Sequence, residues 1–178
     1  MIAFVRHGET PPNRAGLLLG RTDAALTDHG RAQAERLAEA LAGLDVVRVI
    51  TSPLRRARDT AAPIAAACGE AVEVDDRLVE IDYGEWEGRP LADLDPEVVA
   101  RWRRDGGFEP PGGESLAVVA DRVASFCDET LDDRVVVAVS HVSPIKAAVT
   151  WTLRVAPELA WRMRLEVCLL YTSPSPRD

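Results

Sequence analysis

The sequence has few cysteines, and their spacing gives them no obvious partners. Cys68, Cys127 and Cys168 are odd in number and include no CxxC pair. This usage argues against a disulfide framework and is typical of a reducing compartment. We therefore interpret the three residues as small buried hydrophobic side chains, and we expect a cytoplasmic protein.

The chain also lacks a long apolar run and an excess of positive charge. No stretch offers about 18 continuous apolar residues, and a predicted strand stands where a signal peptide would begin. The formal net charge is −8, which argues against a general basic surface for nucleic acids or anionic lipids. We expect neither a nucleic-acid nor a membrane partner, and any anion site must be locally basic.

Strand and helix patterns alternate along the chain. The 178 residues are 47% apolar, enough for one domain that buries about two thirds of its unfolded surface. The predicted strands are residues 1–5, 46–51, 71–74 and 134–140, and the predicted helices are residues 27–42, 52–68, 96–104 and 115–131. Thr27 and Ser52 are the predicted N-caps of the first two helices. This alternation predicts an α/β fold with a mostly parallel sheet.

The C-terminal end departs from this pattern. Residues 161–167 (WRMRLEV) are predicted to form a final strand, whereas residues 168–178 (CLLYTSPSPRD) change to Ser-Pro repeats. That string resembles the translation of a sequencing adapter at the end of a metagenomic gene prediction. We therefore assign residues 1–167 to the domain, with an incomplete C-terminal edge strand. We interpret residues 168–178 as a non-native or disordered tail.

Chemically versatile side chains follow the predicted strands directly. His7 comes after the first strand and His141 after the most hydrophobic one, and both should meet at the carboxyl edge where open α/β sheets bind ligands. The other strand ends add arginines and a carboxylate, namely Arg6, Arg56 and Glu80. A histidine in such a place could act as an acid, a base, a nucleophile or a metal ligand.

The neighbouring arginines narrow that choice. Guanidinium groups bind phosphate oxygens in a planar, bidentate way, and their charge disfavours the imidazolium form of a nearby histidine. They would also repel a metal cation. The cluster therefore predicts a phosphoryl site with a neutral, nucleophilic histidine, and we expect no metal and no cofactor.

Several motifs together make a close family resemblance. They are RHGET at residues 6–10 with Asn13, Gly20, LT at residues 26–27, Gly30, SPL at residues 52–54, Arg56-Ala57, Thr60, Glu80, GEWEG at residues 84–88, GES at residues 113–115 and SH at residues 140–141. The chain resembles the histidine phosphatase superfamily, whose fold is shared with cofactor-dependent phosphoglycerate mutases. The resemblance covers nearly the whole chain and implies a three-layer α/β/α sandwich.

The resemblance also implies a role for each matching residue. His7 becomes the phosphohistidine, and Glu80 protonates the leaving alcohol and later deprotonates the attacking water. The groups that hold the phosphoryl oxygens are Arg6, Arg56, Asn13 and His141. Gly8, Thr10, Ser115 and Trp86 are assigned to substrate binding, although helix capping explains Ser115 and packing explains Trp86 equally well. Glu9, Glu87 and Glu114 are interpreted as residues that orient loops or arginines.

Two departures from the family pattern bear on the activity. His141 is followed by VSPIK rather than by Gly, a variant associated with actinobacterial acid-phosphatase domains related to α-ribazole phosphatases, some of them fused behind a ribonuclease H domain. The segment between Glu80 and His141 is shorter than in the mutases, which favours water as the phosphoryl acceptor.

Three hypotheses follow. The first is a metal-independent phosphomonoester hydrolase that acts on α-ribazole phosphate, a sugar phosphate or a broad range of small phosphorylated metabolites. The second is a phosphoglycerate-mutase-type phosphotransferase. The third is a non-catalytic phospholigand-binding protein or a truncated fragment. The sequence leaves the oligomeric state open and is compatible with a homodimer.

Overall fold

The computed structural model of the chain describes residues 1–166 and 170–172. Its strands form one sheet in the order β3-β2-β4-β1-β5. They are β1 (Ile2–Arg6), β2 (Val46–Thr51), β3 (Val72–Val74), β4 (Val135–Ser140) and β5 (Leu170–Thr172). The first four are parallel, and β5 pairs antiparallel with β1. The predicted α/β fold with a mostly parallel sheet is confirmed.

Six helices surround the sheet in the described ranges. They are α1 (Pro11–Arg14), α2 (Asp28–Leu41), α3 (Arg55–Cys68), α4 (Pro96–Trp102), α5 (Leu116–Thr130) and α6 (Val142–Leu153). Short 3-10 segments lie at Asp76–Leu78, Gly84–Trp86, Leu91–Asp93 and Pro157–Arg162. Most predicted helices end within a few residues of these bounds, and α6 follows His141 directly.

The alternation of β1 side chains separates two cores. Phe4 points to the face where α5 and α6 pack, among residues such as Phe126. Val5 points to the opposite face, among residues of α2 and α3 such as Leu41 and Ile64. Because successive side chains of a strand alternate between faces, apolar residues at all but the last position of β1 and β4 predict burial on both sides. The sheet is thus the middle of three layers.

The helix caps are mostly those that the sequence predicts. The Thr27 side chain accepts a hydrogen bond from Gly30 N, and Ser115 caps α5 in the same way. The expectation that Ser52 caps α3 is wrong, because α3 begins three residues later and its N-cap, Leu54, makes no side-chain bond. The Ser52 hydroxyl lies instead 2.7 Å from His141 Nε2.

The expectation of a strand over residues 161–167 is also wrong for the part that is described. Trp161 and Arg162 lie in a 3-10 segment, and residues 163–166 form no strand. The edge strand is β5, in which Tyr171 pairs with Phe4. The interpretation of residues 168–178 as a tail falls mostly outside the described residues and stays a prediction. Across the ranges that are described, no helix has the length and apolarity to cross a membrane.

Candidate active site

The two histidines predicted from the strand ends lie side by side. His7 follows β1, His141 follows β4, and the two strands are neighbours in the sheet. His7 N donates to Ser140 O at 3.1 Å, which continues the parallel ladder by one residue. The imidazole centroids are 5.0 Å apart, and the two residues are 3% and 0% exposed. The sheet therefore presents two buried imidazoles at its carboxyl edge.

Arg56 joins the two rings. Its Nε lies 3.2 Å from His7 Nε2 and 3.2 Å from His141 Nδ1. Its Nη1 donates to Thr22 O at 2.8 Å and its Nη2 to Gly20 O at 2.7 Å. Three of the five N–H groups of a guanidinium are used in these contacts, and the other two are geometrically fixed donors for phosphoryl oxygens.

The partners of each imidazole fix its tautomer. His7 Nδ1 lies 2.7 Å from the carbonyl oxygen of Gly8, which only accepts, so Nδ1 carries the proton. The lone pair of His7 is therefore on Nε2, towards Arg56. His141 Nδ1 accepts from Arg56, so its Nε2 carries the proton and donates to Ser52. The arrangement leaves a lone pair on His7 Nε2, the atom that could act as a nucleophile.

Both imidazoles are held in the neutral form. Burial lowers the pKa of His7 well below its usual value of 6.5, and the charges of Arg56 and Arg6 lower it further. Burial also lowers the pKa of His141, with Arg56 as the next cause. The sequence predicts neutral imidazoles from the arginine charges alone, whereas desolvation is the larger cause in the structure. A neutral His7 keeps its lone pair near neutral pH.

Glu80 lies at the N-terminus of α6, beside His141. It is 4% exposed. Its Oε2 accepts from Val142 N at 3.0 Å, and its Oε1 accepts from Ser143 N at 3.1 Å and from Ile81 N at 2.8 Å. Free N–H groups and the helix dipole make this end of α6 a favourable place for a carboxylate. The structure thus fixes the Glu80 carboxyl group at the N-terminus of α6, the helix that follows His141.

The loop after β1 is held by contacts within the loop and with α2 and α3. Thr10 is fully buried and forms a capping box with Asn13, whose Oδ1 accepts from Thr10 N and Oγ1. The Asn13 amide nitrogen is therefore the donor end of that side chain. Gly8 N donates to Thr60 Oγ1 at 3.0 Å. A Cβ atom on Gly8 would lie 2.4 Å from Gly30 O, so α2 crosses the loop where only glycine fits.

Glu87 holds the loop that grips Arg56. Its two carboxylate oxygens accept from Gly20 N, each at 2.9 Å, and Oε1 accepts from Thr22 N at 3.1 Å. The same two loop residues present their carbonyl oxygens to Arg56. The prediction that Glu87 orients a loop is confirmed. The contacts of Gly20 and Thr22 with Arg56 were not predicted, since carbonyl contacts leave no trace in side-chain identity. The contact of the Ser52 hydroxyl with His141 was not predicted either, because Ser52 was interpreted as a helix cap.

Three other predicted site residues have structural partners. Arg6 Nη1 donates to Leu165 O at 2.7 Å, and its charge acts on both imidazoles. Ser115 caps α5 with its hydroxyl. Trp86 is 5% exposed and packs in an aromatic cluster with Trp102. Contacts of these residues with a substrate stay predictions.

The carboxylates at the site serve arginines and backbone N–H groups. Glu9 pairs with Arg14 and Glu114 with Arg122, as expected of residues that orient arginines or loops. Among residues 1–166 and 170–172, no group of three or more His, Cys, Asp or Glu side chains could hold a metal ion. The chemistry that the described side chains offer is that of a neutral imidazole, guanidinium groups and one carboxyl group.

Comparisons with known proteins agree with this site. The model of the histidine phosphatase superfamily, branch 1, matches residues 2–173. A glucosyl-3-phosphoglycerate phosphatase of Mycolicibacterium vanbaalenii is 36% identical over 173 residues, covering 90% of the chain and 76% of that protein. The structure of phosphoserine phosphatase from Entamoeba histolytica, in complex with 3-phosphoglyceric acid, is 28% identical. It aligns with a TM-score of 0.87 over 95% of this chain and 87% of that one.

Some relatives are much longer than the chain. A bifunctional protein of Mycobacterium tuberculosis is 36% identical over 176 residues, which cover 95% of the chain but 48% of that protein. The chain thus spans about half the length of this relative.

Proposed function

Because the chain belongs to the histidine phosphatase superfamily, we propose that it is a metal-independent phosphomonoester hydrolase that acts through phosphohistidine. The observation that carries the proposal is Arg56 Nε between His7 Nε2 and His141 Nδ1, at 3.2 Å from each. This contact aligns a neutral nucleophile with a fixed cation. Such preorganised charge is the main source of catalysis in phosphoryl transfer.

In the first step, His7 Nε2 attacks phosphorus and the bond from phosphorus to the ester oxygen breaks. The unused N–H groups of Arg56 and the Asn13 amide hold the phosphoryl oxygens while charge develops on them. Glu80 gives a proton to the leaving alkoxide, a role that requires its carboxyl group to be protonated when the substrate is bound. The Gly8 carbonyl, hydrogen-bonded to His7 Nδ1–H, stabilises the ring as it becomes positive.

In the second step, water attacks the phosphohistidine. The Glu80 carboxylate takes a proton from the water, the bond from phosphorus to Nε2 breaks, and inorganic phosphate leaves. His7 returns to the neutral form and Glu80 to the acid form, so the cycle closes. The covalent intermediate divides one displacement into two easier ones.

The substrate class proposed is a small phosphorylated metabolite. Relatives named glucosyl-3-phosphoglycerate phosphatase and phosphoserine phosphatase support this class. α-Ribazole phosphate, sugar phosphates and phosphoglycerates all lie within it, and no observation favours α-ribazole phosphate over the others. A cytoplasmic location and a homodimer also stay predictions.

Phosphate release from an aryl phosphate in excess chelator tests the proposal. The chain should be compared with its His7→Ala variant after circular dichroism shows both to be folded. We expect chelator-resistant release from the chain and none from the variant. Rapid quenching with ³²P-labelled substrate should trap a protein label that is stable in alkali and lost in acid, as a phosphoramidate is.

Two results would contradict the proposal. A folded chain that releases no phosphate from any of a panel of phosphomonoesters is not a phosphatase. If the chain instead moves the phosphoryl group between the hydroxyls of phosphoglycerate without releasing phosphate, it is the mutase-type transferase.

A further inference from the structure

Lys146 is a cationic side chain that the fold buries without a counter-ion in contact. It is 8% exposed, and its Nζ forms no hydrogen bond or ion pair with any residue in 1–166 or 170–172. Its described partner is an aromatic face, since Nζ lies 5.3 Å from the centre of the Trp161 ring. Because the partial desolvation of an ammonium group without a counter-ion is costly, such a residue calls for an explanation.

The position of Lys146 in α6 directs it towards the active site. Val142 and Ser143, whose N–H groups hold Glu80, precede Lys146 by four and three residues. These spacings place Lys146 on the same helix face, one turn further on. Helical side chains tilt towards the N-terminus of their helix, so the long Lys146 side chain reaches back towards the carboxyl edge of the sheet.

The electrostatic neighbours of Lys146 agree with this direction. The charges of Glu80 and Arg6 both act on its ammonium group, and so does the charge of Arg103 at the end of α4. Burial and the two arginines lower the pKa of Lys146, whereas Glu80 raises it. Two cations and one carboxylate thus act on Lys146, and that carboxylate already accepts three backbone N–H groups.

We propose that Lys146 binds a carboxylate on the alcohol portion of the substrate, in a second anion site on the Glu80 side of the phosphoryl pocket. The inference rests on the proposed phosphatase function and narrows its substrate to phosphomonoesters of hydroxy acids. A carboxylate there would supply the missing counter-ion, and the aromatic face of Trp161 would exclude water from the pair.

The competing explanation is that Lys146 only balances the charge of Glu80. Substrate pairs that differ by one carboxylate separate the two. Phosphoserine should be compared with phosphoethanolamine, and 3-phosphoglycerate with glycerol 1-phosphate, for the chain and for the Lys146→Met and Lys146→Arg variants. Hydrolysis of an aryl phosphate by the same samples reports the phosphatase activity itself.

We expect the chain to prefer the carboxylated member of at least one pair. Lys146→Met should lower kcat/KM for that member about 10- to 100-fold, the range of a charged hydrogen bond. It should change kcat/KM for the member without the carboxylate less than about 2-fold. Lys146→Arg should keep most of the preference.

Two results would overturn the inference in an enzyme that hydrolyses the aryl phosphate. One is that the chain prefers the carboxylated member of neither pair. This comparison uses the unsubstituted chain, so it remains a test even if Lys146→Met does not fold. The other is an equal loss on both members of the preferred pair, because a residue that acts only through Glu80 would affect two similar alkyl leaving groups alike. A chain that does not hydrolyse the aryl phosphate contradicts the phosphatase function instead.

Discussion

The Nε atom of Arg56 lies 3.2 Å from His7 Nε2, so its N–H group points at the lone pair with which His7 would attack phosphorus. A phosphoryl group that enters the site must draw this N–H onto its own oxygens before the attack. Arg56 therefore has two effects on the nucleophile. Its charge keeps the imidazole neutral, and its hydrogen bond protects the lone pair until a substrate replaces it.

Replacing Arg56 by Met should raise the pKa of His7, because the positive charge that disfavours the imidazolium is lost. We expect the pKa to rise towards 6.5 while staying below it, since burial is the larger cause. Nitrogen chemical shifts of the imidazole, followed by NMR as a function of pH, measure this value. Arg55→Met is the matched control, because Arg55 is exposed and pairs with Asp59. Equal titration in both variants would contradict the assigned role of Arg56.

Replacing Glu87 by Gln should lower activity through Arg56. A Gln side chain offers one acceptor oxygen to the N–H groups of Gly20 and Thr22, where Glu87 offers two. We expect kcat/KM for an aryl phosphate to fall about 10- to 100-fold, the size of a lost charged hydrogen bond.

Two comparisons separate this positioning effect from a general loss of stability. Glu85→Gln, an exposed neighbour in the same segment, should change little. The double variant Glu87→Gln/Arg56→Lys should lose less kcat/KM than the sum of the two single effects in free energy. The reason is that both residues belong to one hydrogen-bond network. Additive losses would mean that Glu87 acts independently of Arg56.

Replacing Glu80 by Gln should slow hydrolysis most for substrates with poor leaving groups. An alkyl phosphate needs its leaving oxygen protonated, whereas a nitrophenolate leaves without help, so the alkyl ester should lose about 10²- to 10⁴-fold and the nitrophenyl ester much less. The slope of log kcat/KM against the pKa of the leaving alcohol measures the difference. An unchanged slope would show that Glu80 gives no proton in the first step.

The stability of the fold should decrease as the pH falls through 6.5. The folded-state pKa values of His7 and His141 are lowered, so the unfolded chain binds protons that the folded chain does not. The free energy of unfolding then has its full value above about pH 6.5. Below that pH, each of the two histidines lowers it by up to about 1.4 kcal/mol per pH unit.

Urea titrations between pH 7.5 and 5.5 measure this slope. His7→Gln and His141→Gln should each reduce it, and His29→Gln, which alters an exposed side chain, should leave it unchanged. Glu9 does not contribute to this slope, because hydrogen bonds from Arg14 and Thr27 lower its pKa from 4.5. A slope that survives both substitutions would contradict the buried neutral state of the pair.

The sequence predicts those parts of the site that depend on where strands end. Continuous apolar runs before His7 and His141 identify two buried parallel strands, and their shared edge places the imidazoles together. The contacts of Arg56 with Gly20 O and Thr22 O could not be predicted, because a backbone carbonyl is present at every residue. Lys146 likewise reads as an ordinary helical lysine until its burial is known.

The wrong expectations have a common physical cause. Ser52 has the right residue type for a cap, but a hydrogen bond to His141 holds its hydroxyl and the helix begins later. Residues 161–167 have the composition of a strand, but Trp161 packs against Trp102 with ring centroids 4.1 Å apart. In both places a long-range contact overrides the local preference.

The strand order also has a consequence for synthesis on the ribosome. β1 lies between β4 and β5, so both of its partners come from the last part of the chain. A nascent chain that ends before Val135 exposes the first strand with nothing to pair it, and non-local pairing of this kind is slow and prone to aggregation. His7, which follows β1, therefore reaches its place in the site only after β4 has been made. Chaperones that bind an exposed apolar strand should therefore increase the yield of folded protein.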